Sequence, residues 1–334
     1  MINVAINGFG RIGRAALKIA LTKKNVRIVG INDLADIENL AYLLRYDSAQ
    51  GRYDKIVKVQ GSTLIVGKTK IPFTFEKDPG KLPWKKLKVD VVLECTGFFT
   101  KKEEASKHIK AGAKKVIISA PAKSEGIATV VRSVNDKDAK GEKVVANASC
   151  TTNCTAPIMA VLESQFGVQK ALLTTIHSTT STQRTVDLPM AKDWRRGRST
   201  LNNIIPTTTG AAVATALTIP SLKDKFDGIS VRVPVVCGSL VDIVVLLKKD
   251  ATVDQINKVF KKFAKHPLYK GVLAVSEEEL VSTDILGTTA SAIVDLKFTK
   301  VVDGNLVKVL AWYDNEWAYS NRLVEMVSQV FLDK

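Results

Sequence analysis

Two residues able to do covalent chemistry stand at the ends of strand-like and helix-like stretches. Cys150 lies in Ala148-Ser149-Cys150-Thr151-Thr152-Asn153-Cys154, between an apolar strand pattern (Lys143 to Ala146) and a helical one. A cysteine at a helix N-terminus meets unpaired N–H groups and the positive end of the helix dipole, which favour the thiolate, the nucleophilic form. Burial as an inert thiol is the commoner fate of cysteine, so a base is needed to tip the reading. His177 supplies one: it closes the apolar run Leu172 to Ile176 and precedes Ser178-Thr179-Thr180. A Cys–His pair provides a nucleophile and a proton shuttle. His108 and His266 fall in Lys-rich or Pro-adjacent segments and read as solvated.

A second constellation binds rather than reacts. Gly8-Phe9-Gly10-Arg11-Ile12-Gly13 follows a short apolar strand pattern and opens a helical one. In a GxGxxG at that place, Gly8 permits the tight turn, Gly10 lets backbone approach a pyrophosphate, and Gly13 lets helix and strand pack closely. The spacing alone is a weak signal. Asp33 strengthens it: it stands twenty residues after Gly13, at the end of the next strand pattern. A carboxylate there accepts hydrogen bonds from ribose hydroxyls and repels a 2′-phosphate, so NAD is expected over NADP.

The elements that must position these residues form two groups. Strand patterns at Ile2 to Asn7, Val26 to Asn32, Val89 to Glu94 and Lys115 to Ser119 alternate with helical patterns at Arg11 to Leu21, Ile37 to Arg45 and Glu103 to Ala111. Short strands with turns at Gly61 and Gly67 fill Val57 to Phe75. Such alternation predicts an α/β domain, a parallel sheet with helices on both faces. Beyond Ser149 the strand patterns lengthen: Ala171 to Ser178, Gly228 to Val233, Leu240 to Leu247, Ala290 to Leu296 and Leu306 to Tyr313. Helical patterns there lie around Thr151 to Gln165, Gly210 to Leu217 and Val253 to Ala264. This reads as an α+β domain, a mixed or antiparallel sheet with helices against one face. We expect a dinucleotide-binding domain over 1–148 and a catalytic domain over 149–316, with a last helix over 317–332 packing back onto the first.

Composition narrows the class. At 46% hydrophobic and 25% charged residues, the chain can bury a real core. No stretch reaches the roughly 18 uncharged apolar residues of a membrane helix; the best, Val233 to Leu247, contains Asp242. The N-terminal apolar stretch is broken by Arg11 and Arg14, unlike a secretory signal. Four cysteines in 334 residues make no disulfide framework and fit a reducing cytoplasm. Cys150 and Cys154 have no histidine near them in sequence, so no metal site is expected. The net charge of +16 favours anionic ligands; its lysines are scattered, which reads as a solvated basic surface with polyanion binding at most secondary.

Taken in order, GFGRIG, Asn32-Asp33, Ser119-Ala120-Pro121, ASCTTNC, TTIHS, KDWRRGR, IIPTTTGAA, Arg232-Val233-Pro234 and the run Trp312 to Glu316 span essentially the whole chain. The chain thereby resembles the phosphorylating glyceraldehyde-3-phosphate dehydrogenases; ASCTTNC is highly specific to them. The resemblance implies a Rossmann-type domain followed by a catalytic one, and NAD-dependent oxidation of glyceraldehyde 3-phosphate with inorganic phosphate to 1,3-bisphosphoglycerate. It makes Cys150 the acylated nucleophile and His177 its base. Arg11, Ile12, Asp33, Ser119 and Asn315 match cofactor contacts, Lys77 stands near the adenine, and Thr96 and Phe99 edge the cofactor cleft. Ser149, Thr151, Thr209 and Gly210 match the contacts to inorganic phosphate. Thr180 and Arg232 match those to the substrate's phosphate, with Arg196 assisting. Members of the family are usually homotetramers, and Leu188 to Thr200 would line a neighbour's cofactor site.

Some positions depart from the family pattern: Val213 for a usual lysine, Val235-Val236-Cys237-Gly238 for a more polar stretch, Met190-Ala191, and Ala318 for a frequent glycine. None removes a catalytic residue. An erythrose-4-phosphate dehydrogenase, sharing the Cys–His pair but resolving its acyl intermediate with water, is the alternative enzyme reading. A polymer-binding protein of the same fold is the alternative outside enzymology.

Overall fold

A computed structural model describes residues 1–331 and divides the chain into two compact units. The first comprises residues 1–130 and 136–149 together with the described residues from Ser320. The second comprises Val131–Asn135 and Cys150–Tyr319. The assignment of 131–135 to the second unit was not signalled by composition; there the Ser133 hydroxyl donates to the Leu268 carbonyl.

The first unit opens β1 (Ile2–Asn7), α1 (Arg11–Ala20), β2 (Val26–Asn32), α2 (Ile37–Arg45). A small hairpin, β3 (Tyr46–Asp47) and β4 (Gly51–Arg52), follows, then β5 (Val57–Val59), β6 (Thr63–Val66) and β7 (Thr69–Thr74). It continues through β8 (Val91–Glu94), α3 (Lys102–Lys110), β9 (Lys115–Ile118), β10 (Ala128–Thr129) and β11 (Val144–Ala146). One sheet has the order β10-β11-β9-β8-β1-β2-β7-β6-β5. Its pairs are parallel from β10 to β7, and β6 and β5 extend it as antiparallel edge strands. Strand order reverses direction at β1, the switch point where open α/β sheets bind ligands beyond their carboxyl ends. The central strands are buried on both faces, as in Val91–Glu94, and α1 lays Ala15, Ala16, Leu17, Ile19 and Ala20 inward.

The second unit runs α4 (Cys150–Phe166), β12 (Val168–His177), β13 (Ile205–Thr208), α5 (Ala211–Thr218), β14 (Phe226–Arg232), β15 (Ser239–Leu247). It then forms α6 (Val253–Lys265), β16 (Leu273–Ser276), β17 (Ala292–Val302) and β18 (Leu306–Tyr313). The sheet order is β13-β14-β12-β15-β18-β17-β16, with β12–β14 and β16–β17 parallel and the rest antiparallel. The sheet is therefore mixed. Alternate residues of β15 and β18 point into a core shared with Ile158, Met159 and Leu162 of α4 and Phe260 of α6. The final helix, α7 (Trp317–Gln329), stops short of the expected limit, and Leu332 lies outside the described residues. No helix among the described residues is long and apolar enough to cross a membrane.

One sequence expectation fails outright. His108 is fully buried, not solvated. Its lysine neighbours misled: on α3 it sits one turn from Ala105, and these two alone form the buried stripe of a helix whose other faces are charged.

Candidate functional site

In the first unit each glycine of the GxGxxG has a distinct role. Gly8 adopts φ +92°, and a Cβ there would come within 2.6 Å of the Thr96 nitrogen. A Cβ on Gly13 would lie 2.1 Å from the Gly8 carbonyl oxygen. Both are close-approach positions that only glycine tolerates. Gly10 differs: nothing lies within 4 Å of its Cβ direction, and it begins α1 with no side-chain cap. Gly10 thus leaves open space at the start of α1, where a helix N-terminus suits a pyrophosphate.

Asp33 is half-buried just beyond β2. Its Oδ2 accepts from the Phe9 N–H at 2.6 Å and its Oδ1 from the Ala35 N–H at 2.9 Å. These bonds tie the acid to the glycine turn, and each oxygen keeps a second lone pair for a ribose hydroxyl. Arg11 pairs with Asp47 at 2.9 Å. Thr96 sits in the turn after β8 and packs against Gly8; Phe99 is half-buried and stands edge-on to His108, with ring centroids 6.4 Å apart. Ser119 follows β9 and donates its N–H to the Glu94 carbonyl. Lys77 is exposed beyond β7. A glycine cradle, an uncapped helix start and a positioned carboxylate fit a dinucleotide.

The second unit assembles the reactive pair. The chain turns out of β11 through Ala148, which takes φ +53°, a left-handed conformation that costs an alanine roughly 1–2 kcal/mol. Ser149 follows, and Cys150 is the first residue of α4. Its Sγ lies 3.5 Å from His177 Nε2. His177 is the last residue of β12, and its register partner on β14 is Arg232. Arg232 Nη1 comes within 2.7 Å of His177 Nδ1 and donates to the Ser178 carbonyl at 3.1 Å. That same carbonyl lies 2.7 Å from Nδ1.

Electrostatics set the resting state. Burial raises the Cys150 thiol above its ordinary value, while the Arg232 charge and hydrogen bonds from Thr151 and the Cys150 backbone pull it down. Burial, then Arg232, holds His177 down to about 3. Both directions favour the uncharged forms, thiol and neutral imidazole, over the ion pair. Desolvation thus opposes the helix terminus, whose N–H groups favour the thiolate.

The remaining sequence-selected residues fall into two sets. Thr180 and Thr209 are half-exposed; their hydroxyls meet Thr182 at 2.9 Å and accept from the Ala211 N–H at 3.2 Å. Gly210 caps α5. Arg196 bonds Asp193 at 2.9 Å. Thr151, by contrast, is buried, and its hydroxyl pairs with the Tyr313 hydroxyl at 2.9 Å. It faces the core rather than an anion. Asn315 is buried, and its Oδ1 accepts from the Ser178 hydroxyl, the Gly238 N–H and the Ser239 hydroxyl. What it can offer a ligand is its Nδ2 amide. Gly238, one of the departures, is required here: it has φ +93°, and a Cβ would lie 2.3 Å from the Ser282 carbonyl oxygen.

Tyr313 is the residue that sequence reasoning missed. Its phenol bridges Thr151 on α4 and Thr175 on β12, at 2.9 and 2.8 Å, and its ring lies edge-on to His177. It fastens the first turn of α4 to the sheet. The available signal was phase: Tyr313 continues the inward positions Val307, Val309 and Ala311.

Comparison with known proteins agrees with this architecture. The family described as glyceraldehyde 3-phosphate dehydrogenase, NAD binding domain, matches residues 2–102, and the corresponding C-terminal domain matches residues 149–315. The chain is 51% identical over 331 residues to a glyceraldehyde-3-phosphate dehydrogenase of Geobacillus stearothermophilus, covering 98% of each chain. It is 48% identical to glyceraldehyde-3-phosphate dehydrogenase 1 of Bacillus subtilis, again covering 98% of each. With glyceraldehyde-3-phosphate dehydrogenase 1 of Kluyveromyces lactis the identity is 47%, over 99% of this chain and all of the other. A glycine cradle ahead of an uncapped helix, a cysteine opening a second helix against a strand-end histidine, and similarity running end to end place the chain in the glyceraldehyde-3-phosphate dehydrogenase family.

Proposed function

We propose that this chain oxidises glyceraldehyde 3-phosphate with NAD and inorganic phosphate, giving 1,3-bisphosphoglycerate. The observation that carries the reading is the 3.5 Å approach of Cys150 Sγ to His177 Nε2, with Arg232 against the other ring nitrogen. NAD, when bound, supplies the acceptor for the aldehyde's hydride, and Gly8, Gly10, Arg11, Ile12, Gly13 and Asp33 are the residues to hold it. Lys77, Thr96, Phe99, Ser119 and Asn315 are the further contacts we assign.

His177 governs the proton. When its Nδ1–H donates to the Ser178 carbonyl, the Nε2 lone pair faces Sγ and can take the thiol proton. When Nδ1 instead accepts from Arg232, the ring proton sits on Nε2 and the base is blocked. A substrate phosphate that draws the guanidinium toward itself leaves Ser178 as the partner of Nδ1 and favours the active tautomer. The thiolate then adds to the aldehyde carbon. His177, now imidazolium, stabilises the oxyanion and protonates it to a thiohemiacetal. As the carbon is oxidised, Nε2 takes the hydroxyl proton and leaves a thioester on Cys150. Inorganic phosphate cleaves that thioester and returns the free thiol. The substrate's phosphate suits Arg232 and Thr180, with Arg196 alongside; the attacking phosphate suits Ser149, Thr209 and Gly210, and Thr151 through its place at the start of α4 rather than its hydroxyl.

We further propose self-association, as the family's usual homotetramer. The second unit exposes an apolar groove of about 1100 Å³ lined by Leu172, Val213, Leu217, Phe226, Leu246 and Leu306, a surface of the kind that marks an interface. Val213 lies in this groove, so replacing the family's usual lysine adds apolar area to it. The four cysteines, none in a disulfide among the described residues, favour the cytoplasm. The deciding assay is NADH formation from glyceraldehyde 3-phosphate with and without inorganic phosphate. Strict phosphate dependence is expected; equal rates without phosphate, or preference for erythrose 4-phosphate, would favour the hydrolytic alternative.

A further inference from the structure

The first unit contains a buried hydrogen-bond chain that the chemistry above does not use. Trp84 Nε1 donates to His108 Nδ1 at 2.9 Å. Indole nitrogen is only a donor, so Nδ1 must accept and the ring proton must sit on Nε2. From there His108 donates to Glu94 Oε2 at 2.9 Å. The same oxygen accepts from Asn7 Nδ2 at 2.6 Å. Glu94 Oε1 accepts from the Thr96 N–H at 2.8 Å and from the Thr96 hydroxyl. Asn7 Oδ1 in turn accepts from Asn32 Nδ2, and Asn32 Oδ1 accepts from the Glu76 N–H and the Thr74 hydroxyl.

Every direction in this chain is consistent, and its members are buried: Glu94 is 1% exposed, Asn7 1%, Asn32 4%, and His108 and Trp84 not at all. A buried carboxylate is costly unless its lone pairs are filled. Here four neutral donors fill them. The chain links the carboxyl ends of β1, β2, β7 and β8, the edge along which an open sheet holds its ligand. It also clamps the Thr96 turn, whose backbone presses on Gly8 closely enough to exclude any side chain there.

We propose that Glu94, oriented by His108, is a positioning residue for the dinucleotide: it fixes the Thr96 turn against the glycine loop, so that the loop is set before NAD arrives. This rests on the reading of the first unit as the NAD site. Glu94 and His108 act through Thr96, Asn7 and Asn32 and are not themselves ligands.

The test is calorimetric NAD binding to the full-length protein, with Km for each substrate, kcat and the thermal midpoint measured in parallel. Glu94→Gln keeps shape but turns an amide donor toward donors. It should raise the Kd and Km for NAD about tenfold, on the scale of a buried bond lost to polarity mismatch, with kcat at saturation and Km for glyceraldehyde 3-phosphate unchanged. His108→Leu should act alike. His108→Gln, whose Oε1 can accept from Trp84 while its Nε2 donates to Glu94, should restore Kd to within about twofold. If His108→Leu does not fold, Glu94→Gln and His108→Gln decide the matter. NAD affinity unchanged in Glu94→Gln while the thermal midpoint falls overturns the proposal, leaving the network a packing feature. Weak binding in His108→Gln overturns the directional argument. A parent chain that fails to bind NAD overturns both this inference and the function on which it rests.

Discussion

The two units solve opposite problems. The first builds its site largely from backbone and missing side chains: Gly8 and Gly13 allow close approach, Gly10 leaves space, and Asp33 adds a carboxylate tied to the loop. The second builds its site from side chains on separate elements, with Cys150 from α4, His177 from β12 and Arg232 from β14. A binding site must match a ligand's shape and charge, which local chain geometry can do. A reaction centre must hold a nucleophile, a base and a cation at hydrogen-bond range, which requires elements far apart in sequence. Damage should therefore separate cleanly: chemistry lost in the second unit with binding kept, and binding lost in the first with chemistry kept.

The largest expected break is Cys150→Ser. Removing the nucleophile should lower turnover by on the order of 10⁴-fold or more, while calorimetry finds NAD affinity unchanged. Retained turnover would reject Cys150 as the nucleophile. His177→Asn comes next, at roughly 10²–10⁴-fold in the chemical step measured by stopped flow. A rate close to the parent's would remove His177 from the mechanism. In the first unit, Asp33→Asn can still accept from the Phe9 N–H but no longer repels a 2′-phosphate. Preference for NAD over NADP should fall by about tenfold, as for the loss of one charged hydrogen bond, with kcat largely kept. Unchanged selectivity in competition kinetics would place discrimination elsewhere, as in the Leu188 to Thr200 loop.

A last effect falls on stability rather than on turnover or selectivity. His177 is held near 3 when folded, against 6.5 in the unfolded chain. Between those values the unfolded state binds the extra proton, so stability falls as pH drops from 6.5 toward 3. His177→Asn removes this contribution, and its thermal midpoint should decline less steeply over that window. Parallel acid profiles for mutant and parent would show that His177 is not held neutral by burial.

Much of this was legible locally. The GxGxxG and Asp33 lie within one β-α-β unit, so spacing alone placed them together, and β2, α2 and β18 keep the limits their patterns implied. Cys150 at a helix start and His177 at a strand end were also visible. The short strands β10, β13 and β16 were not, because two to four residues carry too little periodicity to register. His108 was misjudged because a lysine-rich surround describes the helix as a whole, whereas burial depends on which face a residue occupies. Tyr313 went unassigned because its partners, Thr151 and Thr175, lie more than a hundred residues away.

Sequence by itself determined the residue types, the handful of turns that only glycine can make, and which face of each long strand is apolar. Those depend on neighbours a few positions apart. Tertiary structure decided the protonation of the reactive pair. Parallel pairing of β12 with β14 sets Arg232 beside His177, and burial of both ring and thiol makes desolvation the dominant influence on each. Neither the register nor the local dielectric exists until the sheet has closed over them.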